Sequence, residues 1–144
     1  MKNIRVLSKN KLIDYESKIS YPHIIISIRD TGMKKLLFSK NKNRISVLHL
    51  AFDDVDTDFY LSGSVFMSEE QAENIINFVR SFDHINDIIV QCKAGISRSA
   101  AVAMAISRYY NGNEGIFKDN PYNPNPYVYN LVLEEFRKQG NRNG

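Results

Sequence analysis

The 144-residue chain contains one cysteine, Cys92, and only three histidines, His23, His49 and His84. One thiol forms no intramolecular disulfide, which excludes a disulfide-stapled scaffold, and a lone Cys with three scattered His does not assemble a Cys-rich zinc site. Long apolar runs are missing too. No stretch reaches the roughly 20 residues of a membrane span. The segment Met1-Lys2-Asn3-Ile4-Arg5-Val6-Leu7 has charge but neither a continuous apolar region nor a small-residue cleavage site. The expectation is a cytoplasmic protein without a membrane partner. No large excess of one charge sign exists: 19 basic and 16 acidic residues leave a net charge of +3. That is weak support for an anionic partner and, without an aromatic-basic surface pattern, none for nucleic acid. The chain has no repeats and no domain linker.

What is present is an ordinary globular composition, with 43% hydrophobic and 24% charged residues, in a length that suits one domain spanning 1–144. Ile24 to Ile28 is a β-branched run too short for a helix and too continuous for a surface strand, so it reads as a buried strand of a parallel sheet. Ile4 to Leu7, Ile45 to Phe52 and Asp87 to Cys92 read as further strands. Helical spacing follows at Leu12, Ile13, Tyr15 and Ile19, and again after Ser68-Glu69-Glu70-Gln71, a capping box. A helix from Arg98 to Tyr110 is apolar nearly all round and belongs at the domain centre. A long Asn- and Pro-rich loop from Asn111 leads to a last helix from Pro126 to Gln139, with Gly140 as its expected stop. The basic connection from Met33 to Arg44 is either a solvated loop or a rim that attracts an anionic substrate. Alternating strands and helices predict one α/β domain: a central, mostly parallel sheet of four to five strands flanked by helices.

The informative segment is the strand ending at Cys92, then Lys93-Ala94-Gly95-Ile96-Ser97-Arg98-Ser99, then a helix. A thiol at the C-terminal end of a parallel strand, just before a helix, sits where open α/β sheets bind ligands. Backbone N–H groups and the helix dipole favour an anion there, and the same field favours a nucleophilic thiolate. Gly95 lets the loop curl so that successive N–H groups face one point, and Arg98 offers a planar fork to two oxygens of a tetrahedral anion.

Cysteine, five residues, arginine and a hydroxyl residue resemble the signature loop of the cysteine-dependent protein tyrosine phosphatase superfamily. CKAGISRS is most similar to the dual-specificity branch. Abundant Asn, Ile and Lys, as AT-rich coding gives, point to a compact microbial or phage member. The resemblance implies a phosphatase-type fold and metal-independent hydrolysis of phosphomonoesters, with no cofactor. Cys92 would form a phosphocysteine intermediate, and Arg98 with the loop from Lys93, Ala94, Gly95, Ile96 and Ser97 would hold the phosphate. Ser99 would help the sulfur leave. The general acid would be an Asp after the strand that precedes the capped helix. Phe52-Asp53-Asp54-Val55-Asp56-Thr57-Asp58 offers, in order of fit, Asp54, Asp53 and Asp56, in a segment lengthened by Phe59 to Phe66. A calcium loop on Asp54, Asp56 and Asp58 fails because Phe59 and Val65 stand where Gly and the closing Glu are needed. Gln91 replaces the family's usual His and contributes no charge, which predicts slower turnover.

Phosphotyrosine and phosphoserine/threonine in proteins are the expected substrates, met by a monomer. A phosphoinositide or small phosphorylated metabolite is the alternative, as is a loop that binds phosphate without cleaving it. A sulfurtransferase also uses a loop cysteine but does not call for the Arg98-Ser99 pair.

Overall fold

The structure, a computed structural model, describes residues 1–58 and 60–143, with side chains up to residue 140. The chain runs β1 (Asn3–Ser8), α1 (Lys9–Glu16), β2 (His23–Arg29), β3 (Arg44–Ala51), α2 (Glu69–Ser81), β4 (Asp87–Cys92), α3 (Arg98–Asn111), a 3-10 turn (Gly115–Lys118) and α4 (Pro126–Asn143). The four strands form one sheet in the order β1-β4-β2-β3, every neighbour parallel.

A parallel sheet is covered on both faces, and the unbroken apolar runs of β2 and β4 follow from that. Side chains alternate between faces: Ile24, Ile26, Ile28, Ile88 and Val90 join the main core with α2, α3 and α4. Ile25 and Ile89 face the other way, against Leu12 and Ile19. Each fully buried Ile contributes about 1.5–3 kcal/mol of transfer free energy. The expected central helix is α3, in which every residue from Arg98 to Ser107 is buried.

Caps and pins set the remaining geometry. In α2, the Ser68 hydroxyl accepts from the Gln71 N–H at 3.1 Å while Gln71 Oε1 accepts from the Ser68 N–H at 3.0 Å. The Gln71 amide then donates to the Ala51 carbonyl at 2.9 Å, tying α2 to the end of β3. Glu16, only 1% exposed, accepts from Arg44 at 2.7 and 3.1 Å and meets His23 at 3.3 Å. Arg44 of the basic connection is therefore a structural anchor at the N-terminal ends of β2 and β3.

Two expectations change. α1 ends at Glu16, and Ile19 packs from the turn beyond it. Gly140 does not stop α4, which continues to Asn143. A C-terminal stop needs a left-handed glycine, and Gly140 is not among the residues with positive φ. It supplies room instead: a Cβ there would lie 3.0 Å from the Tyr109 hydroxyl, where Tyr109 of α3 stacks on Phe136 of α4. Among the described residues no helix is long and apolar enough to cross a membrane. The strands deliver Ser8, Asp30, Asp53, Asp54 and Cys92 to one edge, the C-terminal edge where open α/β sheets place ligands.

Candidate active site

Cys92 is the last residue of β4 and 2% exposed. Its sulfur lies 3.0 Å from the Ser99 hydroxyl and accepts the Gly95 N–H at 3.3 Å. The curl that brings Gly95 back over the sulfur needs a left-handed residue, and Gly95 has φ +69°. The loop packs so closely on β1 that a Cβ at Gly95 would meet Ser8 N at 2.5 Å. Lys93, Ala94 and Ile96 are exposed around this turn, and Ser97 is half-buried.

α3 starts without a side-chain cap. Ser97, in the capping position, turns its hydroxyl outward to Asp54 Oδ1 at 2.8 Å. The first N–H groups of α3 thus stay open to an anion, with the positive end of the helix dipole behind them. Arg98, 4% exposed, donates from one terminal nitrogen to the Phe52 carbonyl at 2.7 Å, and the same nitrogen forms an ion pair with Asp30 Oδ1 at 2.8 Å. Its Nε is buried and has no hydrogen-bond partner. A buried donor left unpaired costs about 1–3 kcal/mol, which an oxyanion at this point would recover.

The acidic segment divides by the contacts its carboxylates make. Asp53 accepts from Thr31 N at 3.1 Å, from the Thr31 hydroxyl at 2.9 and 3.0 Å, and from Val65 N at 2.8 Å. Its own N–H donates to the Val65 carbonyl at 2.8 Å, so it closes the base of the loop that carries Asp54. The Val65 N–H, then those of Thr31 and the Arg98 charge, hold its carboxyl below the ordinary value against a partial opposing desolvation. Asp54 is exposed at the mouth, and its Oδ1 accepts from Ser97 and from Asn125 Nδ2 at 2.9 Å. Asp56 accepts an N–H within its own turn, from Asp58 at 2.7 Å.

Two site residues escaped the sequence reading. Asp30 follows β2 as Asp53 and Asp54 follow β3, so the rule applied to one strand end would have flagged the other. Asn125, 5% exposed, caps α4 by accepting from Val128 N at 3.1 Å and donates to the Val55 carbonyl at 3.0 Å. Its N–H reaches the Ser97 carbonyl at 3.2 Å, and Asn123 N reaches Ile96 O at 3.0 Å. An Asn directly before a Pro at a helix start is a capping signal. The Asn- and Pro-rich loop before α4 thus buttresses both the signature loop and Asp54.

Gln91 points to the sheet face opposite Cys92 and accepts from the Ser27 hydroxyl at 2.5 Å. Of the stretch expected to lengthen the acid segment, Phe59 lies outside the described residues. Beyond it, Tyr60 packs on Phe66, and Phe66 packs edge-on against Tyr127 of α4.

No family model and no curated protein matches the sequence. Solved structures do match. The chain is similar to DUSP15, with TM-score 0.61 and 20% identity over 100% of this chain and 94% of that one. It is similar to human DUSP28, with TM-score 0.60 and 15% identity over 96% and 94%. PTPMT1 in complex with PI(5)P gives TM-score 0.59 and 18% identity over 99% and 95%. The chain shares the fold of these proteins along nearly its whole length.

Proposed function

We propose that this protein is a cysteine-dependent phosphatase that hydrolyses phosphomonoesters through a phosphocysteine intermediate, acting on phosphotyrosine and/or phosphoserine/threonine in proteins. One observation carries the reading: the Cys92 sulfur and the unpartnered buried Nε of Arg98 belong to one loop whose helix N-terminus is left open. The fold, shared with dual-specificity and tyrosine phosphatases, supports it.

In the first step the Cys92 thiolate attacks phosphorus in line with the leaving oxygen. The S–P bond forms as the P–O bond breaks, and Asp54 gives its proton to the departing oxygen. Its two hydrogen bonds both fall on Oδ1, so the proton to be transferred belongs on Oδ2. A placed acid of this kind contributes about 10²- to 10⁴-fold. Arg98 and the N–H groups from Lys93 to Arg98 hold the equatorial oxygens, which is positioning and charge stabilisation. Asp30 and the Phe52 carbonyl fix the guanidinium beforehand, so less freedom is lost when phosphate binds. In the second step water attacks phosphorus, Asp54 takes its proton, the S–P bond breaks, and inorganic phosphate leaves. Ser99 donates to the sulfur as it departs. Neither step calls for a metal.

The test is hydrolysis of p-nitrophenyl phosphate in EDTA by wild type, Cys92→Ser and Asp54→Asn. Activity in wild type that disappears in Cys92→Ser is the expected result. Activity surviving Cys92→Ser would refute the mechanism, and an inert wild type would leave a phosphate-binding module.

A further inference from the structure

We propose that a cavity beside the signature loop is a second anion subsite, so that the preferred substrate carries another phosphate or carboxylate close to the phosphoryl group being cleaved. This deepens the phosphatase reading and rests on it.

The cavity has a volume of about 120 Å³ and lies on the α1 side of the sheet's C-terminal edge. By liquid volume that is roughly four waters, room for a tetrahedral or planar anion. Lys9, Arg29, Lys34 and Lys93 line it. Its floor is the Ser27–Gln91 pair, both side chains 3% exposed. Asp30 is the one acidic residue of the lining, and it is engaged by Arg98 at 2.8 Å. None of Lys9, Lys34 and Lys93 has an ion pair among the described residues. Cations gathered around a low-dielectric pocket repel one another, and an anion relieves that repulsion.

Local structure explains the convergence. Ser8 caps α1, and the Lys9 N–H donates to the Lys93 carbonyl at 3.2 Å, so the helix start abuts the signature loop. Arg29 Nε donates to the Met33 carbonyl at 3.0 Å, folding the turn that carries Lys34 back over the edge. Two independent features join this cavity to the reactive loop. Gln91 and Lys93 flank Cys92 in sequence, and Asp30 bridges to Arg98. His49 of β3 lies next to the floor and feels one of the lining cations, Arg29. It pairs with Ser27 in the β2–β3 register, and burial first, then Lys35 and Arg29, push its imidazole below the ordinary value.

Competitive inhibition of p-nitrophenyl phosphate hydrolysis by butane-1,4-diol bisphosphate and its monophosphate tests the subsite. In wild type the bisphosphate should bind about ten- to a hundredfold more tightly, the worth of one or two charge-assisted hydrogen bonds. In the Lys9→Gln/Lys34→Gln double variant that advantage should vanish while kcat/KM for p-nitrophenyl phosphate stays within about twofold. Equal affinities in wild type for diol spacers from three to six carbons, or an advantage that survives the double variant, would overturn the subsite. A doubly phosphorylated peptide and an inositol bisphosphate, each run against its monophosphorylated counterpart, separate a protein source from a polyol source. If wild type hydrolyses nothing, the phosphatase reading falls by itself. Calorimetric titration of the same diol phosphates into wild type and double variant then still decides the subsite.

Discussion

Gly95→Ala would put a methyl group where the signature loop crosses the end of β1. Two costs add. The backbone at Gly95 has φ +69°, and a residue with a Cβ loses about 1–2 kcal/mol in that region. The new Cβ would also stand 2.5 Å from Ser8 N and 2.7 Å from Leu7 C. Both are backbone atoms, so no side chain can rotate away. Nor can Ser8 retreat easily: it is the ladder partner of Cys92 and its hydroxyl caps α1. Overpacking of this kind costs about 1–3 kcal/mol. The sum is about 2–5 kcal/mol, and with an unfolding entropy of about 2.1 cal/mol/K per residue each kcal/mol lowers Tm by about 3 °C. Calorimetry should therefore show a fall of about 6–15 °C. The loop will also shift relative to α3, and displacement by about 1 Å costs roughly 10²-fold in kcat/KM. Gly63→Ala is the control, because φ is +88° there but nothing lies within 4 Å of the added Cβ; it should lose only the backbone share, about 3–6 °C. If Gly95→Ala melts within about 2 °C of Gly63→Ala and hydrolyses p-nitrophenyl phosphate like wild type, the close packing of the loop on β1 is wrong.

Other consequences follow from the same geometry. Asp54→Asn should lower kcat about 10²- to 10⁴-fold on an alkyl phosphate and much less on p-nitrophenyl phosphate, whose leaving group needs little protonation. Asn125→Ala should mimic part of that leaving-group dependence, since Asn125 orients Asp54; a uniform loss on both substrates would argue for a merely structural role. Asp53 has a depressed folded-state pKa, so the stability it contributes is full above the unfolded value of about 3.9 and is lost as pH falls through the lower folded value. NMR titration of the Val65 amide should show a midpoint below about 3.9, and one at or above it would contradict the Asp53 clamp. Glu16→Gln breaks the buried pair with Arg44 at a cost of about 3–5 kcal/mol. It should lower Tm yet leave kcat per folded molecule unchanged, because that pair lies at the opposite edge of the sheet from Cys92.

Much of the candidate site's layout was legible before folding because it is local. Cys92, Gly95, Arg98 and Ser99 lie in one turn between a strand and a helix, and β-branched runs, a capping box and helical spacing mark their supports within a few residues. What pairs with that turn was not legible. Asp54 meets Ser97 across 43 residues and Asn125 across 71, and nothing in local pattern specifies such distances. Gly140 was misread for the same reason: whether a glycine stops a helix or makes room depends on what crosses it, here Tyr109.

By itself, then, the sequence determined an α/β domain with a cysteine-bearing loop between a strand end and a helix, since hydrophobic period and turn chemistry act between near neighbours. Tertiary structure alone decided the strand order β1-β4-β2-β3 and the different partners of two adjacent carboxylates. Consecutive residues at the end of a strand point in different directions, and only the packed edges of β2 and α4 determine that Asp53 meets Thr31 while Asp54 faces the loop of Cys92.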